Sequence, residues 1–94
     1  MDRVLLCLDS GTTAVKAAAF DGTGRMIARA ERANGALRRA GARVEQDMDA
    51  TRDDAFAVLR DCVAQLRAPV SGLVITGQGD GLWPVDAAGQ PVGH

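Results

Sequence analysis

The sequence has almost no excess of charge of either sign. Its 94 residues hold 11 basic and 12 acidic side chains, which gives a formal net charge of −1. Nucleic-acid binding normally requires a clustered basic excess, so we expect no nucleic-acid partner. The arginines that gather in the middle of the chain are interpreted as a solvated loop and strand edge: Arg25, Arg29, Arg32, Arg38, Arg39 and Arg43.

Cysteine and long apolar stretches are also scarce. The only two cysteines, Cys7 and Cys62, form no CxxC or Cys/His pattern. We therefore expect both to be small buried hydrophobic residues and not metal ligands. Unpatterned thiols suit a reducing compartment. No apolar stretch has the length of a signal peptide or a membrane span. We therefore expect a cytoplasmic location and no membrane association.

Short apolar runs separated by turn signals predict three strands in the first 33 residues. The runs cover residues 4–8, 14–20 and 26–33, and an Asp-Gly-Thr-Gly turn at 21–24 separates the last two. These strands are expected to form an antiparallel meander. Residues 34–42 predict a loop, since they are rich in Gly, Ala and Arg, and a short extended piece follows at 44–46.

A helix of about five turns is predicted next, from apolar residues at steps of three and four. Asp47 or Asp49 is expected to cap it, and Pro69 to end it. Residues 70–76 predict a second strand of the buried type, and residues 82–86 resume extended structure. A meander, a crossover helix and a parallel strand predict an α/β fold with a mixed sheet. The predicted buried stripe of the helix is Phe56, Leu59, Val63 and Leu66, widened by Ala55, Val58 and Cys62.

The turn after the first strand has the composition of a metal–phosphate site. Gly11 is expected to supply a backbone geometry closed to other residues, and backbone N–H groups in such a turn form anion-binding nests. Asp9 is suited to hold a hydrated Mg²⁺ ion. The alternative is an ordinary hairpin whose polar side chains satisfy the turn, and the spacing is not that of a Walker A loop. The candidate residues are Asp9, Ser10, Gly11, Thr12, Thr13 and Lys16.

A second candidate site follows the strand at residues 70–76. Gln78, Gly79 and Asp80 place an amide and a carboxylate at the carboxyl end of that strand, where ligands of open α/β sheets lie. Such groups bind hydroxyls, because the Asp80 carboxylate accepts hydrogen bonds and the Gln78 amide both donates and accepts them. The alternative is a glycine-rich turn with a solvent-facing carboxylate. Trp83 is either a wall of this pocket or a core residue.

Three segments, in order along the chain, resemble signatures of the FGGY carbohydrate kinases, which belong to the actin-like ATPase superfamily. They are residues 8–13 with Lys16 and 20–24, residues 44–47, and residues 75–78. The resemblance implies a ribonuclease-H-like (actin-like ATPase) fold. Residues 1–94 would form the N-terminal part of the first domain, with the remainder of that domain and the second domain absent.

The resemblance also implies ATP and Mg²⁺ as cofactors and a sugar or polyol as substrate. Phosphate would bind at residues 9–13 and Lys16, with Mg²⁺ held by Asp9 through water, and substrate at Gln78, Gly79 and Asp80. The family's catalytic carboxylate lies downstream, so no catalytic residue is expected in this chain, which should be inactive alone. Glycerol kinases have Arg-Glu and xylulose kinases Met-His where this chain has Gly79-Asp80, which is more similar to erythritol-type kinases and favours a short-chain polyol.

Two other interpretations remain open at this point. One is a non-catalytic remnant or interaction module of the same fold. The other is an actin-like or activator ATPase, against which the Glu-Gln-Asp segment at 45–47 and the Gly-Gln-Gly-Asp segment at 77–80 argue. Residues 82–94 are further expected to form an incomplete sheet edge through which copies of the chain associate.

Overall fold

The computed structural model describes residues 3–77 and 82–93. Within them, three strands precede a small hairpin, a helix and a last strand. The elements are β1 (Leu5–Ser10), β2 (Ala14–Phe20), β3 (Met26–Ala33), β4 (Leu37–Ala40), β5 (Arg43–Gln46), α1 (Met48–Val63) and β6 (Gly72–Gly77).

The main sheet has the strand order β3-β2-β1-β6. Strands β1, β2 and β3 pair antiparallel, and β6 returns through α1 to lie parallel to β1. The predicted meander, crossover helix and mixed α/β sheet are therefore confirmed. The predicted turn at 21–24 is also present: one carboxylate oxygen of Asp21 accepts the Thr23 hydroxyl at 2.7 Å and the N–H groups of Thr23 and Arg25 at 2.9 and 3.0 Å.

Small side chains on the sheet let α1 pack closely against β2 and β3. Ala17, Ala19 and Ala28 are buried, and Val58 and Cys62 of α1 pack in the same cluster. Burial raises the pKa of the Cys62 thiol, and the neighbouring Cys7 raises it further. Cys62 is buried as predicted, whereas Cys7 is only half-buried, because it lies on the face of β1 that α1 leaves uncovered. The other buried core residues are Val4, Leu6, Leu8 and Val15.

The helix differs from its prediction in length. Asp47 is the N-cap, as predicted, and its side chain accepts the Ala50 N–H at 3.1 Å. The helix ends at Val63, several residues before Pro69, so the proline does not end it. The chain leaves the helix through turns closed by the N–H groups of Gln65 and Leu66.

The predicted buried stripe of the helix is rotated. Phe56 is 61% exposed and Val63 is 43% exposed, while Val58 and Cys62 are almost completely buried. The reason is tertiary: α1 lies over β2 and β3 rather than over β6. The face turned toward that half of the sheet is the one that includes Val58 and Cys62, with Leu59 partly buried beside them.

Residues predicted as loop contain a strand. β4 pairs antiparallel with β5 in a separate two-stranded sheet, closed by Gly41 at a φ of +61°. Three of the residues in this hairpin are arginines with exposed side chains, so it has no apolar alternation that would predict a strand. The short extended piece at 44–46 is confirmed as part of β5.

Strand β6 is not buried, contrary to its apolar sequence. Leu73, Val74 and Ile75 are each more than half exposed, because no described residue covers either face or the outer edge of this strand. Residues 82–93 contribute one isolated bridge, Val85 with Pro91, and no sheet strand. The prediction that residues 82–94 form an incomplete sheet edge was therefore wrong about the location of that edge. Within the described residues, the free edge of the main sheet next to β1 is β6. No described helix is long and apolar enough to cross a membrane.

Candidate functional site

A row of polar side chains crosses the main sheet near the carboxyl end of β1. The Cα partner of Asp9 on β2 is Lys16, and the partner of Lys16 on β3 is Glu31. On the other side, Asp9 pairs with Thr76 of β6. Directly opposed residues in a sheet point to the same face. These four side chains therefore lie side by side on the face of the sheet opposite α1.

Three members of this row, Asp9, Lys16 and Glu31, line an open cleft of about 450 Å³. Its charged side chains are two carboxylates, Asp9 and Glu31, and one ammonium group, Lys16. A phosphate chain entering it would meet a net negative charge, which a divalent cation would offset. Mg²⁺ binds one or two carboxylates and keeps several waters, and the described residues contain no cluster of three or more His, Cys, Asp or Glu side chains that would enclose a metal. The cleft is lined by Asp9, Gly11, Thr12, Thr13, Ala14, Lys16 and Glu31.

Gly11 closes the turn at the bottom of this cleft. Its N–H donates to the carbonyl oxygen of Ala14 at 3.0 Å, and a Cβ at Gly11 would lie 2.8 Å from that same oxygen. Its φ is not positive. The position is closed to other residues, as expected, because a Cβ would clash with this oxygen and not because the backbone is left-handed.

The turn leaves hydrogen-bond donors unused. The N–H groups of Thr12 and Thr13 have no partner within residues 3–77 and 82–93. A polar N–H without a protein partner is satisfied by water or by a ligand, and successive free N–H groups in a turn suit an anion. The structure thus brings together Asp9, Gly11, Thr12, Thr13 and Lys16 from the predicted set.

Ser10 is separated from that set. Its side chain alternates with that of Asp9, so it lies on the α1 side of the sheet, where it lines a different cleft of about 240 Å³ with Thr51, Gly77 and Trp83. Trp83 is 39% exposed, which makes it a wall of this cleft rather than a core residue. The hydroxyl of Thr51 donates to the carbonyl oxygen of Asp47 at 3.0 Å.

The second predicted site, at Gln78, Gly79 and Asp80, lies outside the described residues. The described chain leads up to it: β6 ends at Gly77, beside Ser10 of β1. A Cβ at Gly77 would lie 3.4 Å from the carbonyl oxygen of Ser10, so glycine suits the close pairing of these two strand ends.

The sequence analysis did not identify three residues near the cleft at Asp9–Lys16. Glu31 was missed because a bulge between Ala19 and Phe20 shifts the β2–β3 register. Counting strand partners outward from the turn at 21–24 therefore does not pair Glu31 with Lys16. Thr76 could have been identified as a site residue, because it lies just before Gly77 at the carboxyl end of β6. Asn34, whose side chain donates to the carbonyl oxygen of Gly11 at 2.9 Å, gave no sequence signal, since the contact spans 23 positions.

Solved structures of three sugar kinases share this fold. Gluconate kinase from Lactobacillus acidophilus matches 99% of the chain with a TM-score of 0.87 and 16% identity, over 19% of its own length. Xylulose kinase from the same organism matches 97% of the chain (TM-score 0.85, 16% identity, 19% of its length). Xylulose kinase from Rhodospirillum rubrum matches 96% (TM-score 0.81, 24% identity, 19% of its length). The predicted ribonuclease-H-like, actin-like fold class is confirmed.

A curated relative is similar in sequence as well. Erythritol kinase from Brucella abortus (strain 2308) is 36% identical over 93 residues, which cover 96% of this chain and 18% of that protein. The chain therefore spans about a fifth of the length of these relatives. The N-terminal domain of the FGGY family of carbohydrate kinases matches residues 4–94. The chain thus belongs to the FGGY carbohydrate kinases, as the three sequence signatures had indicated.

Proposed function

We propose that this chain is part of an ATP-dependent kinase that phosphorylates a hydroxyl of a sugar or short-chain polyol. The observation that carries the proposal is the cleft at Asp9–Lys16, where an ammonium group and carboxylates meet N–H groups that have no partner in the described part of the chain. Phosphoryl transfer depends mainly on positioning and on stabilising charge, and these are the groups that do both.

The residues of the cleft have distinct proposed roles. Bound ATP with its Mg²⁺ would supply the phosphoryl group and neutralise its charge. The N–H groups and hydroxyls of Thr12 and Thr13 would donate to phosphate oxygens, on the turn that Gly11 closes. Lys16 would bind a phosphate oxygen through its ammonium group, and Asp9 would orient the hydrated Mg²⁺.

The substrate is proposed to bind at Gln78, Gly79 and Asp80, with Ser10 at the boundary between phosphate and substrate. Two observations support this placement. Strand β6 ends at Gly77, the residue directly before Gln78 in the sequence, and Gly77 lines the cleft of Ser10, Thr51 and Trp83. Ligands of open α/β sheets lie beyond the carboxyl ends of the strands. The curated relative at 36% identity is named an erythritol kinase, which supports a short-chain polyol.

Residues 1–94 alone are proposed to be inactive. Phosphoryl transfer needs a carboxylate that positions or deprotonates the acceptor hydroxyl, in addition to metal and phosphate contacts. The family resemblance assigns that carboxylate to a downstream segment, and this chain spans 18% of its curated relative. Robust ATP-dependent phosphorylation of any polyol by the purified chain would contradict this. The cytoplasm is the proposed compartment, since both cysteines are free thiols.

A chimera tests the proposal. The aligned segment of the Brucella abortus erythritol kinase is replaced by this chain, and the purified chimera is assayed with C3–C6 polyols and ketoses. We expect ATP-dependent phosphorylation that Asp9→Asn greatly reduces. A chimera with native-like circular dichroism and cooperative unfolding but no kinase activity would favour the alternative, a non-catalytic interaction module of the same fold.

Self-association is proposed to run through β6. Its outer edge has no partner strand within the described residues, and its apolar side chains Leu73, Val74 and Ile75 are exposed. An unpaired, apolar edge presents free N–H and C=O groups to which another strand can pair.

A further inference from the structure

Asn34, which lies outside the proposed phosphate-binding turn at residues 11–13, forms hydrogen bonds with the backbone of that turn. Asn34 follows β3, and its side-chain Nδ2 donates to the carbonyl oxygen of Gly11 at 2.9 Å. Its backbone N–H donates to the carbonyl oxygen of Thr13, also at 2.9 Å. One residue thus engages two carbonyl groups of the turn.

The direction of those carbonyls decides where the turn's N–H groups point. In a planar trans peptide, the C=O of one residue and the N–H of the next point in opposite directions. Because Asn34 holds the C=O of Gly11, the N–H of Thr12 points away from Asn34. Thr12 lines the phosphate cleft, and its N–H has no partner within the described residues.

We propose that Asn34 is a positioning residue that keeps the N–H of Thr12 directed at a bound phosphate group. The inference rests on the function proposed above and deepens it. Asn34 acts through the turn and does not itself contact phosphate. A turn held in advance loses less conformational freedom on binding, so it binds phosphate more tightly than a free one.

Asn34 is itself held in one orientation. Its Oδ1 accepts the N–H of Ala36 at 2.9 Å, while Nδ2 bonds to Gly11. Reversing the amide would place oxygen against the Gly11 carbonyl and NH₂ against the Ala36 N–H, so only one orientation satisfies both partners.

The linker of residues 34–36 is tied in turn to the start of α1. Ala36 is fully buried, and its carbonyl oxygen accepts the N–H of Asp47, the helix cap, at 2.9 Å. Asp54 accepts the Gly35 N–H at 3.2 Å and lies 3.8 Å from Arg32. The phosphate turn is therefore anchored to the helix through Asn34.

The test separates the two bonds of the Asn34 side chain. Asn34→Asp keeps an oxygen that accepts the Ala36 N–H, but it replaces the donor to Gly11 with a second oxygen. Each ¹⁵N-labelled protein is titrated with magnesium tripolyphosphate, and the amide shifts of Thr12 and Thr13 give the dissociation constant. We expect Asn34→Asp to weaken binding about tenfold, the effect of losing one well-placed hydrogen bond to a charged group.

Asp54→Ala is the matched control. It loosens the same linker from the α1 side without touching the turn, so it should lower the unfolding midpoint yet bind tripolyphosphate like the parent. Asn34→Ser is titrated as well and should lose affinity to a similar degree, because a serine hydroxyl also accepts the N–H two residues on but does not reach Gly11. Serine adds no charge, so a loss seen only in Asn34→Asp would reflect repulsion of phosphate and would overturn the positioning role.

The outcomes are distinct. Parent-like affinity in the folded Asn34 variant, or an equal loss of affinity in Asp54→Ala, would overturn the positioning role. No amide shift at Thr12 and Thr13 in the unmodified chain would instead refute the phosphate site, and with it the proposed function.

Discussion

Lys16 lies directly across the β1–β2 pair from Asp9, on the same face of the sheet. This pairing puts a cation and a carboxylate side by side at the mouth of the turn formed by Gly11, Thr12 and Thr13. Opposite charges on adjacent strands attract each other, and we propose that both groups are shared with a magnesium–phosphate complex.

Lys16 is expected to carry a large part of the affinity for phosphate. Lys16→Met should weaken magnesium tripolyphosphate binding roughly tenfold to a hundredfold, because a charge-assisted hydrogen bond of about 1.5–3 kcal/mol is lost. Isothermal titration calorimetry measures the change. Arg39→Met, which removes the same charge from the exposed surface of β4, is the control. Equal effects of the two substitutions would mean that only net charge matters.

Lys16 is also the only lysine in the sequence. Acylation of side-chain amines followed by mass spectrometry therefore reports on this one position, apart from the chain's N-terminus. We expect MgATP to slow acylation of Lys16, since a bound phosphate group covers its ammonium group. Unchanged acylation at saturating MgATP would contradict a phosphate contact at Lys16.

Phosphate binding should depend on Mg²⁺, because Asp9 and Glu31 outnumber Lys16 in the cleft. Without Mg²⁺, tripolyphosphate should bind weakly, and Glu31→Gln should strengthen this metal-free binding by removing a like charge. Asp9→Asn should abolish the gain that Mg²⁺ provides. The three proteins are compared by titration with and without EDTA, and affinity independent of Mg²⁺ in the parent would count against the metal role of Asp9.

The helix-facing core should respond strongly to truncation. Leu8 is 5% exposed, so Leu8→Ala should lower the free energy of unfolding by about 2–5 kcal/mol through lost burial and a residual cavity. Leu82 is 85% exposed, so the same substitution there should change stability by less than about 0.5 kcal/mol. Urea denaturation followed by circular dichroism measures both, and similar losses would contradict the burial of Leu8 in the core.

Asp21 should make stability depend on acid pH. The Thr23 hydroxyl, then the Arg25 and Thr23 N–H groups, hold the pKa of the Asp21 carboxyl below its usual value. A lowered folded pKa stabilises the fold above the unfolded pKa, and this contribution is lost as the pH falls through the folded value. Asp21→Asn should therefore flatten the fall in stability below about pH 4. Thermal melts from pH 7 to pH 2.5 test this, and parallel curves for the two proteins would contradict it.

The exposed β6 edge should drive association at high concentration. Val74→Lys should reduce the apparent mass measured by light scattering, because a charged side chain on an edge strand disfavours pairing with another strand. Val44→Lys, which changes an exposed valine of β5, is the control. A strict monomer at high concentration in the parent would refute self-association through this edge.

Local features of the chain were predictable from sequence, and relationships between distant elements were not. The hairpin that joins Asp9 to Lys16 and the helix cap at Asp47 each depend on neighbouring residues. The local sequence pattern therefore predicts both. Which helix face is buried depends on where α1 lies over the sheet. For that reason Phe56 was wrongly predicted to belong to the buried stripe of the helix. Glu31 was hidden by the bulge in β2–β3, and Asn34 by the separation between it and Gly11.

The most direct test of the central claim is the ¹⁵N titration of the unmodified chain with magnesium tripolyphosphate. We expect saturable shifts of the Thr12 and Thr13 amides that require Mg²⁺ and disappear in Asp9→Asn. Shifts that are absent at millimolar ligand, or that appear elsewhere while those two amides stay unchanged, would contradict a phosphate site at Asp9–Lys16.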